Sequence, residues 1–462
     1  MAPNKTLRGF GNSVTAERLF VCAKTMLCVA LICSCGGAIA ADQTDQPGPP
    51  EDWAIHGQVT FVEQYHPAFR SPYRGTNSLD PGSRGNETFD ATGYLGIRLW
   101  DGAEAWVNGE IDQGFGLSNS LGVAGFPNGE AYKIGSSGPY PKLPRVFVRQ
   151  TFDLGGEAQP IKPDINQLGG TQANNRIVLT VGKFATADVF DHNEYSDDSK
   201  RGYLNWALVD LSTFDYAANA WGYTYGAAAE WYQDWWVARA GLFDLSETPN
   251  SSKLDSTFGR QFQLVTELEE DHSLGGLAGK VRLLAFLSHG NMGLFSDAIA
   301  LSSQTGKTAD LALVRHVHVR PGVGINMEQH FSDDLGGFLR AGYDDPSREP
   351  FEFIDADTTV SGGLSMSGNK WARPDDTIGV AFIVNGISRE HATYFDHGGL
   401  GILIGDGRLP HPSDEKILEA LYTFSAFKYL KITADYQFID NPAYNTDRGP
   451  VSVIGLRLHS DL

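Results

Sequence analysis

Cysteine is scarce in this 462-residue sequence, and its four copies all fall between Cys22 and Cys35. That excludes a disulfide scaffold for everything downstream. Long hydrophobic runs are missing too. The one apolar run that stands out, "MLCVALIC" (26–33), is too short for a spanning helix, which needs about twenty such residues. Lys5, Arg8, Arg18 and Lys24 precede it, and the small-residue segment "AIA" (38–40) follows. This is the pattern of a secretory signal (1–40) with an A-x-A cleavage site, although its polar lead is longer than usual. Cleavage after Ala40 would leave a chain with no cysteine. A lipid-bearing N-terminus at Cys35 is the rival reading, but the residues before Cys35 fit that signal poorly.

Positive charge is also in deficit. The chain has 36 Lys and Arg against 56 Asp and Glu. Without residues 1–40 there remain 32 basic and 55 acidic residues, a balance of −23. That balance argues against nucleic acid or anionic lipid as the partner. Catalytic signatures are missing as well: no GxSxG, P-loop or GxGxxG lies between a strand pattern and a helix pattern. His289, His316, His318 and His330 lack metal-ligand spacing. We expect no enzymatic activity, no cofactor and no metal. The acidic stretch "DVFDHNEYSDD" (188–198) has oxygens enough for Ca²⁺ but no EF-hand spacing, and a solvated loop is expected there.

What the chain does have is glycine (53), aromatics (17 Tyr, 26 Phe, 9 Trp) and alternation. In "AEAWVNGEID" (103–112) Ala103, Ala105, Val107, Gly109 and Ile111 interleave with Glu104, Trp106, Asn108, Glu110 and Asp112. Period two is the mark of a strand that separates two environments. The pattern recurs in "FDATGYLGIRL", where Leu95, Ile97 and Leu99 oppose Thr92, Tyr94 and Arg98. "RVFVRQTFDL" sets Arg145, Arg149, Thr151 and Asp153 against Val146, Val148, Phe152 and Leu154. "LKITADYQFI" and "VSVIGLRLH" repeat it near the end of the chain.

Short turns such as "WDG" (100–102), 233–234, 332–335 and 427–429 alternate with long loops at 113–144, 185–221, 290–321 and 387–414. This is the plan of an all-β, antiparallel transmembrane barrel with short periplasmic turns and long extracellular loops. A periplasmic segment (41–52) would lead into a barrel over 53–462. "LALVRHVHV" (311–319) looks like a strand, but assigning it to a loop restores the alternation and gives sixteen strands; eighteen is the alternative. A three-residue "WDG" loop would pair Leu99 with Ala103 and put Gly102 in the left-handed region. Trp100, and at least one of Trp235 and Trp236, fit an interfacial girdle.

A barrel in lipid must be apolar outside and can be charged inside. The strand at 103–112 would then separate lipid from a wet lumen. Carboxylates accept hydrogen bonds from hydroxyls, guanidinium groups donate to oxygens, and an indole offers a face to a sugar ring. Glu104, Trp106, Asn108, Glu110 and Asp112 would suit a polyol in transit. Inward Arg98, Arg145 and Arg149 have two readings open: solute contacts, or ion pairs that stiffen the wall. Other function classes also remain open, among them a general or cation-preferring porin and a non-transport barrel that anchors functional loops.

Six stretches resemble the carbohydrate-selective porins of the OprB type: "DWAIHGQVTFVEQYHPAFRSPYRGTNSL", "WDGAEAWVNGEIDQGFGLSNSLGVAGFPNGEA", "VGKFATADVFDHNEYSDD", "FDYAANAWGYTYGAAAEW", "INMEQHFSDDLGGFLRAGYDD" and "DYQFIDNPAYNTDRGPV". They span nearly the whole mature chain. The resemblance implies a sixteen-stranded bacterial outer-membrane barrel through which glucose and related mono- or oligosaccharides diffuse. It also implies an eyelet holding an Arg, a Glu and an aromatic residue, with Glu110 as the Glu and Arg98 or Arg149 as its Arg. Outer-membrane lipid and the barrel-assembly machinery are the implied partners, with homotrimer and monomer both open. The ending "HSDL" departs from the aromatic final residue usual in the family, although Leu462 keeps the lipid-facing phase.

Overall fold

Period-two alternation becomes a closed wall in the computed structural model, which describes residues 50–461. The signal expected at 1–40 and the final Leu462 lie outside the described residues. Sixteen strands are present among those described. The first eight are β1 (Trp53–His66), β2 (Arg84–Trp100), β3 (Ala103–Gly114), β4 (Ser136–Ile161), β5 (Gly170–Phe184), β6 (Thr224–Gln233), β7 (Trp236–Asp244) and β8 (Phe262–Leu274). The rest are β9 (Leu277–Met292), β10 (His316–His330), β11 (Leu335–Asp344), β12 (Thr358–Ser367), β13 (Thr377–Gly386), β14 (Glu415–Phe427), β15 (Leu430–Asp440) and β16 (Val451–Asp461). Each pairs antiparallel with its sequence neighbours, and β1 closes on β16 from Gln58 opposite Asp461 to Tyr65 opposite Ile454. Closure gives every strand a neighbour on both sides and leaves no open edge strand, which a lipid environment demands.

The two faces are chemically distinct. Leu95, Ile97, Val107, Ile111, Val146, Val148, Leu268, Leu283, Val380 and Leu456 stand exposed on the outer face. Their alternates Thr92, Tyr94, Asn108, Glu110, Glu267, Arg282 and Arg457 are buried inside. Trp53, Trp100, Trp231 and Trp235 stand exposed at the short-turn end, and Tyr65, Tyr225 and Tyr343 near the long-loop end. They form two interfacial girdles. Among the described residues no helix is long and apolar enough to cross a membrane; the strands do so.

Three sequence expectations need adjusting. The 311–319 segment divides: Leu311–Leu313 is a helical turn in the loop, but His316–Val319 extends β10. That extension is hydrogen-bonded on its β9 edge only, since pairing with β11 starts at Gly322. The apolar alternation there is a real strand signal, and it lengthens a strand rather than adding one. At "WDG", Gly102 has φ +71° as expected, and Arg98 faces Glu104 in the expected parity. The last pair is Trp100 with Ala103 across a bulge, not Leu99 with Ala103. Finally, β4 begins at Ser136, so the loop expected at 113–144 covers only 115–135.

The interior is filled by loops, chiefly the β5–β6 connection, 185–223. Inward wall residues hold its backbone. Glu267 accepts the Asp191 N–H (2.8 Å), Glu328 that of Glu194 (2.8 Å), and Glu419 those of Leu204 and Asn205 (2.6 and 3.0 Å). Arg457 donates to the carbonyls of Ser199 and Gly202 (2.6 and 2.7 Å). These are charge-assisted bonds, stronger than neutral ones. These bonds hold the loop against the wall of β8–β16, while the space that it leaves lies along the β1–β7 side.

Candidate functional site

The sequence places carboxylates on alternate residues of β3, and the register decides what each one meets. Glu110 faces Lys142 of β4 beyond a bulge, Asn108 faces Arg145, and Glu104 faces Arg149. The Lys142 ammonium lies 2.9 Å from Glu110 and 3.0 Å from Asp112, over the Tyr132 ring at 3.8 Å. Thr92 donates to the second Glu110 oxygen at 2.9 Å. The Arg of the expected pair is therefore replaced: Glu110 is partnered by Lys142, not by Arg98 or Arg149. Arg149 bonds Glu104 at 2.7 Å and the Asn166 carbonyl at 2.8 Å. Arg98 sits at the short-turn end, donating to the carbonyls of Glu51 (2.9 Å) and Gly169 (3.2 Å). Arg145 reaches away from the wall and grips Asp188 of the β5–β6 loop through two bonds, 2.7 and 2.6 Å.

Two cavities run along the open side. The upper, about 490 Å³, includes Glu110, Arg145, Arg149, Lys200, Arg201 and the rings of Phe126, Trp206, Tyr216, Trp221 and Tyr223 in its lining. The lower, about 850 Å³, is walled by Arg98, Glu104, Arg149, Arg176, Glu230 and Arg239. Arg149, Asp188 and His192 line both.

The five even-numbered residues from Glu104 to Asp112 face inward, but not all face free space. Trp106 is wholly buried, stacked against His56 at 6.3 Å in a cluster with Tyr94, Phe147 and Leu168. A Cβ on Gly96 would fall 2.5 Å from its ring, so glycine there is what lets the indole lie flat. Trp106, Asn108 and Asp112 line neither cavity, whereas Glu104, Glu110, Arg98, Arg145 and Arg149 do. The indole expected to meet sugar is covered, because inward-folded segments pack over this part of the wall.

Those segments supply groups that the strand pattern does not reveal. Lys200 bonds Asp90 at 2.8 Å and also Glu130. Burial alone would lower its pKa, but Asp90, Glu130 and Glu110 raise it well above the usual lysine range. His192 is set between Asp197 (2.9 Å) and the Asp188 carbonyl (3.0 Å). Burial opposes its charge, yet Asp197 lifts its pKa to about 9. The solvated loop expected at 188–198 is thus corrected: Phe190, Asp191 and Asn193 are buried within the barrel. The signal was present in the sequence, since a solvated loop has no use for Phe190, Leu204, Trp206, Leu208 and Phe214. Among the described residues there is no cluster of three or more metal-ligating side chains.

Paired ions and aromatic faces around a wet path suit a neutral, hydroxyl-rich solute. Such a solute can trade water for side-chain donors and acceptors and still leave. The family that the sequence matches agrees with this chemistry. The sequence matches the model described as "Carbohydrate-selective porin, OprB family" over residues 76–462. No curated protein matches it. In fold it is similar to OprB of Pseudomonas putida in its high-pH structure: TM-score 0.68 at 15% identity, covering 89% of this chain and 94% of that one. It is also similar to the outer membrane channel DcaP of Acinetobacter baumannii, with TM-score 0.49 at 10% identity over 90% and 98% of the two chains. The chain belongs to the OprB family of carbohydrate-selective porins and is a carbohydrate-selective channel of the bacterial outer membrane.

Proposed function

We propose that, once residues 1–40 are removed on export, the barrel passes glucose and related short saccharides by diffusion along its β1–β7 side. Selection takes place where the upper and lower cavities meet. The observation that carries this reading is that Arg149, Asp188 and His192 line both spaces. Each is already bonded: Arg149 to Glu104, Asp188 to Arg145, and His192 to Asp197. A hydroxyl can share these donors and acceptors without any ion being stripped of its partner, so binding stays weak enough for release. Trp221 above the throat offers a ring to the C–H side of a sugar. The pathway is complete within one chain and needs no second copy, and the sugar passes chemically unchanged.

Liposome swelling tests this directly. Glucose and disaccharides should enter faster than non-sugar solutes of equal size, and sugars should block ion current in planar bilayers reversibly. Equal rates for size-matched solutes would make the barrel a general porin. A barrel that inserts but passes neither ions nor sugar would be a non-transport anchor.

A further inference from the structure

The β4–β5 connection, 162–169, lies on the side of the short turns but does not behave like one. The turns between β2 and β3 and between β6 and β7 merely reverse the chain. This one folds up into the barrel. Asp164, Ile165 and Asn166 line the upper cavity, while Gln167 and Leu168 line the lower. It therefore stands at the boundary between the two spaces, beside Arg149.

Its position is held from several directions. Arg149 donates to the Asn166 carbonyl at 2.8 Å, and Glu104 accepts the Leu168 N–H at 3.1 Å. Glu51, just ahead of β1, clamps Gly169 both ways: its carboxylate accepts the Gly169 N–H at 2.7 Å, and its own N–H donates to the Gly169 carbonyl at 3.0 Å. Arg98 bridges the carbonyls of both residues. Within the turn, Asp164 and Gln167 exchange N–H to carbonyl bonds at 3.1 and 3.0 Å. A Cβ at Gly169 would come within 2.9 Å of Pro163, so the clamp can close only on glycine.

Asn166 is the tip. It adopts φ +56°, a left-handed conformation that asparagine tolerates better than most residues. Its side-chain carbonyl oxygen is buried and accepts no hydrogen bond. A buried acceptor without a partner is costly and uncommon, and because Asn166 itself lines the upper cavity, a turn of its amide brings that oxygen to a donor that arrives with the solute. A sugar hydroxyl is such a donor.

We propose that the 162–169 turn is the lower jaw of the channel, that Glu51 locks it in place, and that Asn166 contacts sugar and limits the size of saccharide that passes. This deepens the carbohydrate pathway proposed above and rests on it. The fixed turn stands where the two cavities share Arg149 and Asp188 in their lining, so a solute passing from one to the other must pass it.

The test uses the full barrel in planar bilayers and liposomes. Asn166→Gly keeps the left-handed backbone and the carbonyl that Arg149 binds, but removes the amide. It should weaken glucose block of ion current by roughly tenfold, the scale of one hydrogen bond, and raise ion conductance. Glu51→Ala should unlatch the turn, raise conductance, and increase the trisaccharide-to-glucose swelling ratio several-fold. Glu51→Gln, which still accepts the Gly169 N–H, should stay near wild type. Heat-modifiable electrophoretic mobility reports that each barrel is folded. Folded Asn166→Gly and Glu51→Ala barrels with wild-type conductance and wild-type saccharide ratio would overturn the jaw. If no sugar blocks the wild-type channel, the carbohydrate pathway fails instead, and the conductance of the two variants still decides the jaw.

Discussion

The Arg340 guanidinium on β11 bonds Asp191 of the β5–β6 loop twice, at 3.2 Å to its carboxylate and 2.9 Å to its backbone carbonyl, with both side chains fully excluded from solvent. A third bond runs to the Leu208 carbonyl at 2.7 Å, and Asn326 supports the same carboxylate at 2.7 Å. This is the rivet that turns a long loop into a fixed filling. Removing one partner of a buried pair costs about 3–5 kcal/mol, because the other charge is left stranded. Arg340→Leu should lower the thermal unfolding midpoint, open the 185–223 loop to protease, and make single-channel current noisy. Quiet current and an intact loop would mean that the carboxylate bonds from β8, β10 and β14 suffice without it.

Two tryptophans should part company under mutation. Trp106 is sealed in the wall, so Trp106→Ala should cost about 3–5 kcal/mol of stability, the usual range for a buried aromatic, and leave sugar block of ion current unchanged. Trp221 lines the upper cavity, 5.4 Å from the Tyr132 ring and 5.1 Å from the Lys142 ammonium. Trp221→Ala should weaken block several-fold with little loss of stability. The reverse pattern would return the sugar platform to β3.

The barrel was legible because lipid imposes a simple rule on every strand: Leu95, Val107 and Val148 out, Tyr94, Asn108 and Arg149 in. Loop alternation then fixed the number of strands. The pore itself was less legible. Period two says that Trp106 points inward, but not that Leu168 and Phe147 cluster around it. Nor can strand periodicity show that Arg145 meets Asp188 forty-three residues later, or that Lys142 displaces an arginine beside Glu110. Those contacts depend on a bulge and on loops whose path is set by distant wall residues such as Glu419 and Arg457. The aromatic and apolar content of 185–221 was the clue to that path.

Glu110 should matter more for ions than for sugar. Its oxygens are already engaged by Thr92 and Lys142, so Glu110→Gln should reduce sugar block by less than about threefold, a fraction of one hydrogen bond. It removes one negative charge from the lining while Lys142 keeps Asp112 at 3.0 Å. Reversal potentials in a KCl gradient should therefore move toward anion preference. An unchanged reversal potential would show that ions do not sample this part of the wall.

His391 offers a pH test outside the membrane. It lies on the helix Arg389–Asp396 of the β13–β14 loop, sandwiched between Phe295 (4.1 Å) and Phe395 (4.9 Å). Its ring bonds Asp357 at 3.1 Å, with Asp355 at 3.8 Å. Burial opposes its charge, but Asp357 above all, with Asp355, lifts its pKa to about 9. A histidine raised above its unfolded value near 6.5 stabilises fully below that pH and loses the contribution as pH climbs through 9. Asp357 has the opposite sign: burial would raise its pKa, His391 holds it below the ordinary value, and its contribution disappears only as pH falls through that depressed value. The extracellular cap should therefore be tightest from roughly pH 4 to 6.5 and loosen progressively as pH rises from 6.5 to about 9. Protease cleavage within 387–414, followed across that range, should rise steeply in the native barrel. His391→Gln should be cleaved faster at pH 6 and respond little to alkali, and a variant that kept the native pH profile would show that another group controls the cap.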